Sequence, residues 1–573
     1  MTGHFRIDKR KLIYYTLIDV SLPLGPSVNE LSFVRDMAKR YDKDLTIVCP
    51  KPTMPSRLLP TSCNYIYIDI KFKSKNWPQF VELRLRGIFA LRKALKSTDE
   101  NKAIVVSRLS ILDIPAWALK NKLRKYFGTD GIRGRANTHP MTGETALKVG
   151  IAAGKYFTRG KHLHTVVIGK DTRLSGYLIE PALTAGFIST GMNVFLVGPM
   201  PTPAISMLTR SMRCDVGVMI SASHNSYEDN GIKLFGPNGE KLSDKNELKI
   251  EALMDDNCQS NLVDSAKLGR AKRIEDAGGR YLEFVKSTFP RELSLKGLKV
   301  VIDCANGAAY QVAPRALWEL GAEVISIGCS PDGTNINHKC GSTSPKLMSD
   351  MVKKHKADIG IALDGDADRC IICDEKGNFI HGDKIIGLIT QRYSDQKLLK
   401  GGSIVGTQMT NMGLEKHLNK NNIKLIRAKV GDRYVVEKMR LNNCNIGGEQ
   451  SGHIIIGEHG STGDGLVASL QVIASMIEKN KKVSEILNIF SLFPQLIESI
   501  DYNINEFQYK ETDPFIENKI KYAENILGEN SRIIIRASGT EHKLRIMGEA
   551  SNKVLLSKTL KNLKLEIKNY IND

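Results

Sequence analysis

The 573-residue sequence predicts an α/β protein built from several units, and three observations carry that prediction. Short apolar runs that read as strands alternate with helical stretches from about residue 123 to 490. The length calls for roughly three to five domains. The last stretch is smaller, rich in Asn, Lys and Glu, and reads strand, loop, strand, helix. The boundaries follow the pattern: three mixed-sheet α/β units over 123–289, 290–385 and 386–494, and a smaller α+β unit over 495–573. Residues 1–122 stand apart as a partial Rossmann-like βαββαβ extension.

In the extension, Lys11 to Val20 reads as a strand and a loop holding Gly25 and Pro26 follows. Residues 28–41 have helical spacing, with apolar side chains at Val28, Leu31, Val34 and Ala38. Leu45–Cys49 and Tyr65–Ile70 read as strands, Phe80–Leu95 as a basic amphipathic helix, and Ala103–Val106 as a last strand. That order is the start of a doubly wound domain. By pattern and its Gly-Pro turn it resembles the first part of the N-terminal half of a nucleotide-sugar glycosyltransferase. It stops before a donor site would be complete.

From Leu123 onward the strand-like runs are Thr165–Gly169, Val194–Gly198, Leu298–Asp303, Ile359–Asp364 and Ser403–Gly406. In such units ligands sit at the C-terminal ends of strands. The last unit has strands at Ser531–Arg536 and Lys543–Glu549 before a terminal helix.

Composition excludes several classes. The formal charge is +20, with 22 Lys and Arg against 11 Asp and Glu in residues 1–122, and 60 against 51 in the rest. The basic residues are scattered singly and without interleaved aromatics, which fits solvated faces and a phosphate-bearing substrate better than nucleic acid. No apolar run approaches the ~18 residues that a spanning helix needs, and the N-terminus lacks a signal layout. The reading is therefore a cytoplasmic protein without membrane or nucleic-acid partners; an oligomer is left open. The ten cysteines form no framework, and Cys370 and Cys373 read as strand residues rather than half of a zinc site.

Four loops carry chemistry. In Ser221-Ala-Ser-His-Asn, after the apolar run Val216–Ile220, Ser223 is exposed to attack among small residues, with His224, Asn225 and Lys233 as neighbours. A phosphoryl carrier needs such donors and charge; a capped polar turn is the plain alternative. In Asp364-Gly-Asp-Ala-Asp-Arg, three carboxylates at spacing two suit a hard cation, Mg²⁺. A calcium loop is disfavoured, because Arg369 stands where the sharp turn needs glycine. Gly447-Gly-Glu-Gln-Ser-Gly-His could read sugar hydroxyls through Glu449 and Ser451, or be a plain turn. Arg536-Ala-Ser-Gly-Thr-Glu, with Arg545 downstream, makes a phosphate cradle. One loop falls in each predicted unit.

With Tyr126–Gly134, Gly198-Pro-Met-Pro-Thr-Pro and Pro331–Asn337 added, the set resembles the α-D-phosphohexomutase superfamily, from Leu123 to the C-terminus. The resemblance implies four domains around one cleft, with three mixed α/β sheets and a smaller fourth domain. It implies that Ser223 is phosphorylated and shares Mg²⁺ with Asp364, Asp366 and Asp368. Arg133, His224, Lys233 and Arg369 would line the transfer site. Lys429, Glu449, Ser451 and His453 would face the sugar, and Arg536, Ser538, Gly539 and Thr540 would hold the phosphate that does not react. The Phe-Gly-Thr-Asp-Gly-Ile-Arg-Gly and Glu-Gln-Ser-Gly-His forms favour an amino sugar. The implied reaction converts glucosamine 6-phosphate, a hexosamine phosphate, to glucosamine 1-phosphate through a glucosamine 1,6-bisphosphate intermediate, feeding UDP-N-acetylglucosamine and cell-wall synthesis.

Rival readings are a phosphomannomutase or phosphoglucomutase, and a non-catalytic sugar-phosphate binder. Two positions depart from the family pattern: Ser226 and His542 stand where proline is usual. Ser221, two residues earlier, is expected to face away from Ser223. The matching pattern begins abruptly at Leu123, so residues 1–122 read as dispensable and the functional protein as starting there.

Overall fold

The computed structural model describes residues 11–15, 45–50, 64–68, 103–107, 125–128, 130–255, 262–502, 509, 513–537 and 543–572. The chain divides into two compact units, Met1–Arg124 and Lys125–Asp573.

The first unit holds β1 (Lys11–Tyr15), β2 (Leu45–Pro50), β3 (Asn64–Ile68) and β4 (Ala103–Ser107) in one parallel sheet of order β3-β2-β1-β4. All four strands expected from the sequence are present, and the order is that of a doubly wound sheet. The helices expected over 28–41 and 80–95 lie outside the described residues.

The second unit contains four further sheets. The first combines β5 (Ile132–Arg135), β6 (Thr165–Lys170), β7 (Asn193–Pro199), β8 (Val216–Ile220), β9 (Asp229–Phe235) and β10 (Ala271–Arg273) in the order β10-β7-β6-β8-β9-β5. The next has β11 (Lys299–Asp303), β12 (Glu323–Ile327), β13 (Ile359–Leu363), β14 (Cys370–Cys373) and β15 (Phe379–Ile380) in the order β12-β11-β13-β14-β15. A third has β16 (Ser403–Thr407), β17 (Lys424–Ala428), β18 (Ile446–Gly448) and β19 (Ile454–Ile456) in the order β17-β16-β18-β19. The last is antiparallel: β20 (Gln495–Asp501), β21 (Ser531–Ala537) and β22 (Lys543–Ala550), ordered β20-β22-β21.

The first three of these sheets repeat one plan. Three parallel strands lie in the order second, first, third, and a fourth strand folds back antiparallel beside the third. The central parallel strands are nearly continuous in apolar residues; Val216–Ile220 and Ile359–Leu363 are buried throughout. That is the signature of a sheet covered on both faces.

One large apolar core threads the three units, including Val167, Phe235, Val300, Ile361, Ile404 and Leu470. At its centre is the helix Gly465–Lys479, buried from Gly465 to Met476. Asp464 caps it, accepting the N–H groups of Leu466 and Val467 at 3.0 Å each, and left-handed Asn480 ends it. The antiparallel sheet has a separate core around Ile535, Leu544, Leu556 and Leu563.

Two elements of this last domain escape the sequence pattern. β20 is one, because its sides alternate poorly and only Ile500 is buried; the helix Pro514–Leu527 is the other. Cys370 and Cys373 sit in β14 as buried free thiols, as expected, and burial pushes both up to about 12. Among the described residues, no helix is long and apolar enough to cross a membrane.

Candidate active site

The repeated plan fixes where chemistry collects. In each of the three sheets the third parallel strand turns back into the antiparallel one, and a loop at that turn carries the polar residues singled out above. Ser223 and His224 follow β8; Asp364, Asp366, Asp368 and Arg369 follow β13; Glu449, Ser451 and His453 follow β18. These are C-terminal ends of parallel strands, where the backbone opens outward and side chains of different units can meet.

Ser223 is 2% exposed, and its backbone is left-handed with φ of 53°. That conformation is costly for a residue with a Cβ. It is held by the loop's surroundings. The Ser223 N–H donates to Ser221 Oγ at 2.9 Å, and its carbonyl accepts from Arg173 and from Asn337, each at 2.9 Å. Gly365 passes directly beneath: a Cβ there would lie 2.6 Å from the Ser223 carbonyl oxygen. The Ser223 hydroxyl donates to Asp364 Oδ2 at 2.5 Å and lies 3.3 Å from His224 Nδ1. Ser221 does not face away as expected. It donates to Asp171 at 2.6 Å and accepts the Ser223 N–H, forming the root of the turn in which Ser223 is left-handed.

The three aspartates are all buried, and their ligand atoms lie within 4.8 Å of one another. Like charges about 4 Å apart repel by about 4 kcal/mol per pair at an effective dielectric of ~20. Burial, with Asp368 and Asp366 beside it, pushes the Asp364 carboxyl well above the usual range. Burial acts the same way on Asp368, but His453, Lys233 and Arg369 outweigh it and hold that carboxyl low. Asp366 Oδ2 accepts from Lys233 at 2.8 Å and from Thr202 at 2.6 Å. Asp366 Oδ1 is buried without a hydrogen-bond donor, and Asp368 Oδ1 has only the long contacts to His453 at 3.5 Å and Arg369 at 3.8 Å. Under-satisfied anionic oxygens in an all-oxygen cluster are the arrangement a hard divalent cation completes, so this is a divalent metal site.

Basic groups surround it. Lys233 is 1% exposed and lies 3.3 Å from Asp130 and 3.9 Å from Asp368. Burial lowers its ammonium pKa, but Asp130, Asp366 and Asp368 more than reverse this and keep it charged. Arg133, at β5, pairs with Asp130. The Arg369 guanidinium is 3.8 Å from Asp368, and its backbone N–H donates to Asp364 at 3.2 Å. Burial, with Arg369 and Arg133 nearby, pushes the His224 imidazole down to about 4, so it is neutral near pH 7.

The third loop divides. Glu449 accepts the Gly431 N–H at 2.8 Å, and Ser451 Oγ is buried with no partner. His453 is 2% exposed, 3.5 Å from Asp368 and 3.7 Å from Asp432. It therefore lies against the metal loop. Lys429 stands exposed one residue past β17. In the antiparallel sheet Arg536 lies directly opposite Arg545. Like charges so placed are destabilising in a sheet unless an anion joins them. Burial, then Arg545, lowers the Arg536 pKa, while Glu449 opposes. Ser538, Gly539, Thr540 and His542 lie outside the described residues.

Sequence reasoning missed the groups that hold the loops. Arg173, 1% exposed, ion-pairs with Asp171 at 2.8 Å and donates to the carbonyls of Ser223, Asn225, Ser226 and Asp229. Lys241 bridges Asp130 and Asp432 across two sheets. The available signal was Gly169-Lys-Asp-Thr-Arg at the end of β6, a polar cluster closing an apolar strand.

Profiles of the phosphoglucomutase/phosphomannomutase α/β/α domains I, II and III match residues 124–260, 279–377 and 381–493, and that of the C-terminal domain matches 477–564. The chain is 57% identical over 440 residues to a phosphoglucosamine mutase of Parvibaculum lavamentivorans, covering 77% of this chain and 98% of the relative. It is 58% identical over 433 residues to one of Paramagnetospirillum magneticum, covering 76% and 96%. Among solved structures it is similar to a phosphoglucomutase/phosphomannomutase family protein of Burkholderia thailandensis, with TM-score 0.65, 22% identity, and 77% and 97% of the two chains covered. It is also similar to an Aspergillus fumigatus N-acetylphosphoglucosamine mutase bound to GlcNAc-6P and magnesium, with TM-score 0.53, 18% identity, and 78% and 95% covered.

Proposed function

The chain belongs to the phosphoglucomutase/phosphomannomutase family with the function of a phosphoglucosamine mutase, and we propose that Ser223 is its phosphoryl carrier. The observation that carries this is the 2.5 Å approach of the Ser223 hydroxyl to Asp364 inside the triad of carboxylates. Its substrate is a hexosamine phosphate.

In this reading phosphoserine gives its phosphoryl group to O1 of glucosamine 6-phosphate. The P–Oγ bond breaks as the P–O1 bond forms, and the O1 proton ends on Oγ, leaving the Ser223 hydroxyl free and glucosamine 1,6-bisphosphate in the cleft. The bisphosphate turns end for end, and its 6-phosphoryl group returns to Ser223, releasing glucosamine 1-phosphate. Asp364, Asp366 and Asp368 would hold Mg²⁺, which when bound neutralises charge on the transferring group. Arg133, Lys233 and Arg369 supply fixed positive charge around that group, and neutral His224 hydrogen-bonds beside the carrier oxygen. Lys429, Glu449 and Ser451 face the sugar. His453 faces the sugar with them and also lies 3.5 Å from Asp368. Arg536, with Ser538, Gly539 and Thr540, holds whichever phosphate is not reacting. The cross-strand Arg545 supports that reading, since one phosphate between two arginines removes their repulsion.

The domain boundaries follow the sequence reading: 123–289, 290–385, 386–494 and 495–573, with residues 1–122 as an accessory, dispensable segment. The place of action is the cytoplasm. The test compares initial rates on glucosamine, glucose and mannose 6-phosphates, with intact-mass detection of phosphate on the purified chain. The reading expects the amino sugar to be fastest and a phosphate adduct that maps to Ser223. A preference for mannose or glucose, or an adduct elsewhere, would overturn it.

A further inference from the structure

The first mutase sheet carries a second set of ligand-type side chains at its other end. Ser223 follows the C-terminal end of β8, whereas Asp215 immediately precedes its N-terminal end. The five strand residues Val216–Ile220 put roughly 16 Å between the two ends. Beside Asp215 runs the segment Lys161-His162-Leu163-His164, which leads into β6.

The two histidines are two residues apart, separated by Leu163, which is 72% exposed. Both imidazoles converge on one carboxylate oxygen. His162 Nε2 lies 2.7 Å and His164 Nδ1 3.3 Å from Asp215 Oδ1, and the ligand atoms of all three residues fall within 4.8 Å of one another.

Two of the three arms are fixed by backbone bonds. Asp215 Oδ2 accepts the Thr165 N–H at 2.8 Å, which orients the carboxylate and leaves Oδ1 for the histidines. The Asp215 N–H returns a bond to the Thr165 carbonyl at 2.9 Å, and the His164 carbonyl accepts from Asn193 at 2.9 Å. The side chains of His164 and Asp215 are 8% and 15% exposed, while that of His162 is 60% exposed. The cluster is thus a half-buried pair closed from the solvent side by one movable imidazole.

We propose that His162, His164 and Asp215 bind a borderline divalent transition-metal ion of the zinc class. Two imidazole nitrogens and one carboxylate oxygen are a ligand set for such ions and a poor one for Mg²⁺, which takes oxygen. Thr165 supplies the outer-shell bond that such a carboxylate needs, and the solvent side leaves room for water as a fourth ligand. Binding replaces imidazole protons, so each histidine presents its lone pair from the nitrogen already aimed at the site. The bound ion ties the approach to β6 onto the turn before β8. This site shares no residue with the aspartate triad.

The test uses the full chain dialysed against Zn²⁺ in excess Mg²⁺, with bound zinc counted by elemental analysis. Wild-type protein is expected to retain one equivalent that the His162→Ala/His164→Ala variant lacks and the Asp364→Asn variant keeps. Co²⁺ at the site should give a tetrahedral visible band, absent from the double variant. His162→Ala alone should weaken zinc binding by about tenfold or more, with the melting temperature in chelator unchanged, since that side chain is mostly exposed. Zinc binding unaltered by both histidine substitutions, or lost only with Asp364, would overturn the proposal. So would a wild-type chain that retains no zinc.

Discussion

The Ser223 hydroxyl donates at 2.5 Å to Oδ2 of Asp364, a residue 141 positions further along the chain and on a different sheet. Neither loop makes a reaction centre alone. The first supplies an oxygen in a left-handed turn, the second an excess of negative charge. Their meeting places the oxygen at the edge of a cation site, and it depends on Gly365 passing under the Ser223 carbonyl.

Ser223→Ala is expected to abolish turnover, by about a thousandfold or more, because the carrier oxygen is lost. Ser221 is committed to Asp171 and to the Ser223 N–H. Sugar-phosphate binding measured by calorimetry should persist, since the Arg536 side is untouched. A variant that keeps a tenth of the wild-type rate would remove Ser223 from the mechanism.

Asp366→Asn should lower the rate by two to three orders of magnitude or so while leaving the far-ultraviolet spectrum unchanged, because it removes one anionic ligand from a hard cation. Wild-type activity should also vanish in chelator and return with Mg²⁺. Full activity in excess chelator would count against the metal site.

Arg173→Ala should destabilise the protein by about 3–5 kcal/mol, since it strands the buried Asp171 carboxylate and four carbonyls. Arg173→Lys keeps the charge but cannot reach all four, so it should fold and lose kcat more than KM. Denaturation curves and steady-state kinetics on the two variants separate these effects.

Arg536→Ala is expected to raise KM by about ten- to a hundredfold and to lower kcat, because binding energy at the unreactive phosphate orients the reactive end. Unchanged kcat/KM would place the arginine outside the site.

Burial pushes the carboxyl of Asp383 from its ordinary 3.8 up to about 7, although it accepts the Asn411 N–H at 2.7 Å. A raised carboxyl pKa means the folded chain binds the proton more tightly than the unfolded one. That contribution is full below the unfolded value and is lost as pH rises through the folded one. Asp383→Asn should therefore gain stability relative to wild type between about pH 4 and 7, with a constant gap above that. Denaturant midpoints at pH 5 and pH 8 check the sign.

Residues 123–573 carrying Leu123→Met are expected to fold and turn over substrate at rates near those of the full chain. The family profiles begin at residue 124, and the compact units separate after Arg124. An insoluble or inactive fragment beside an active full chain would show that the first unit is required.

By itself the sequence determined what is local. Apolar runs of five or so residues between polar turns specified the parallel strands, the four of the first unit included. The reactive loops were legible because small residues and repeated carboxylates at a strand end have few structural uses. Only the tertiary structure decided which loops meet. The shared plan of three sheets, each folding back after its third parallel strand, is invisible in residue spacing, since it resides in hydrogen-bond partners far apart in the chain. Arg173, Lys241 and Asn337 were missed for the same reason: each acts through carbonyls or carboxylates dozens to hundreds of positions away. The 3.5 Å approach of His453 to Asp368 could not be read from sequence either, because long-range packing brings the two loops together. A side chain's chemistry is written in its own residue, whereas its partner is chosen by the fold that surrounds it.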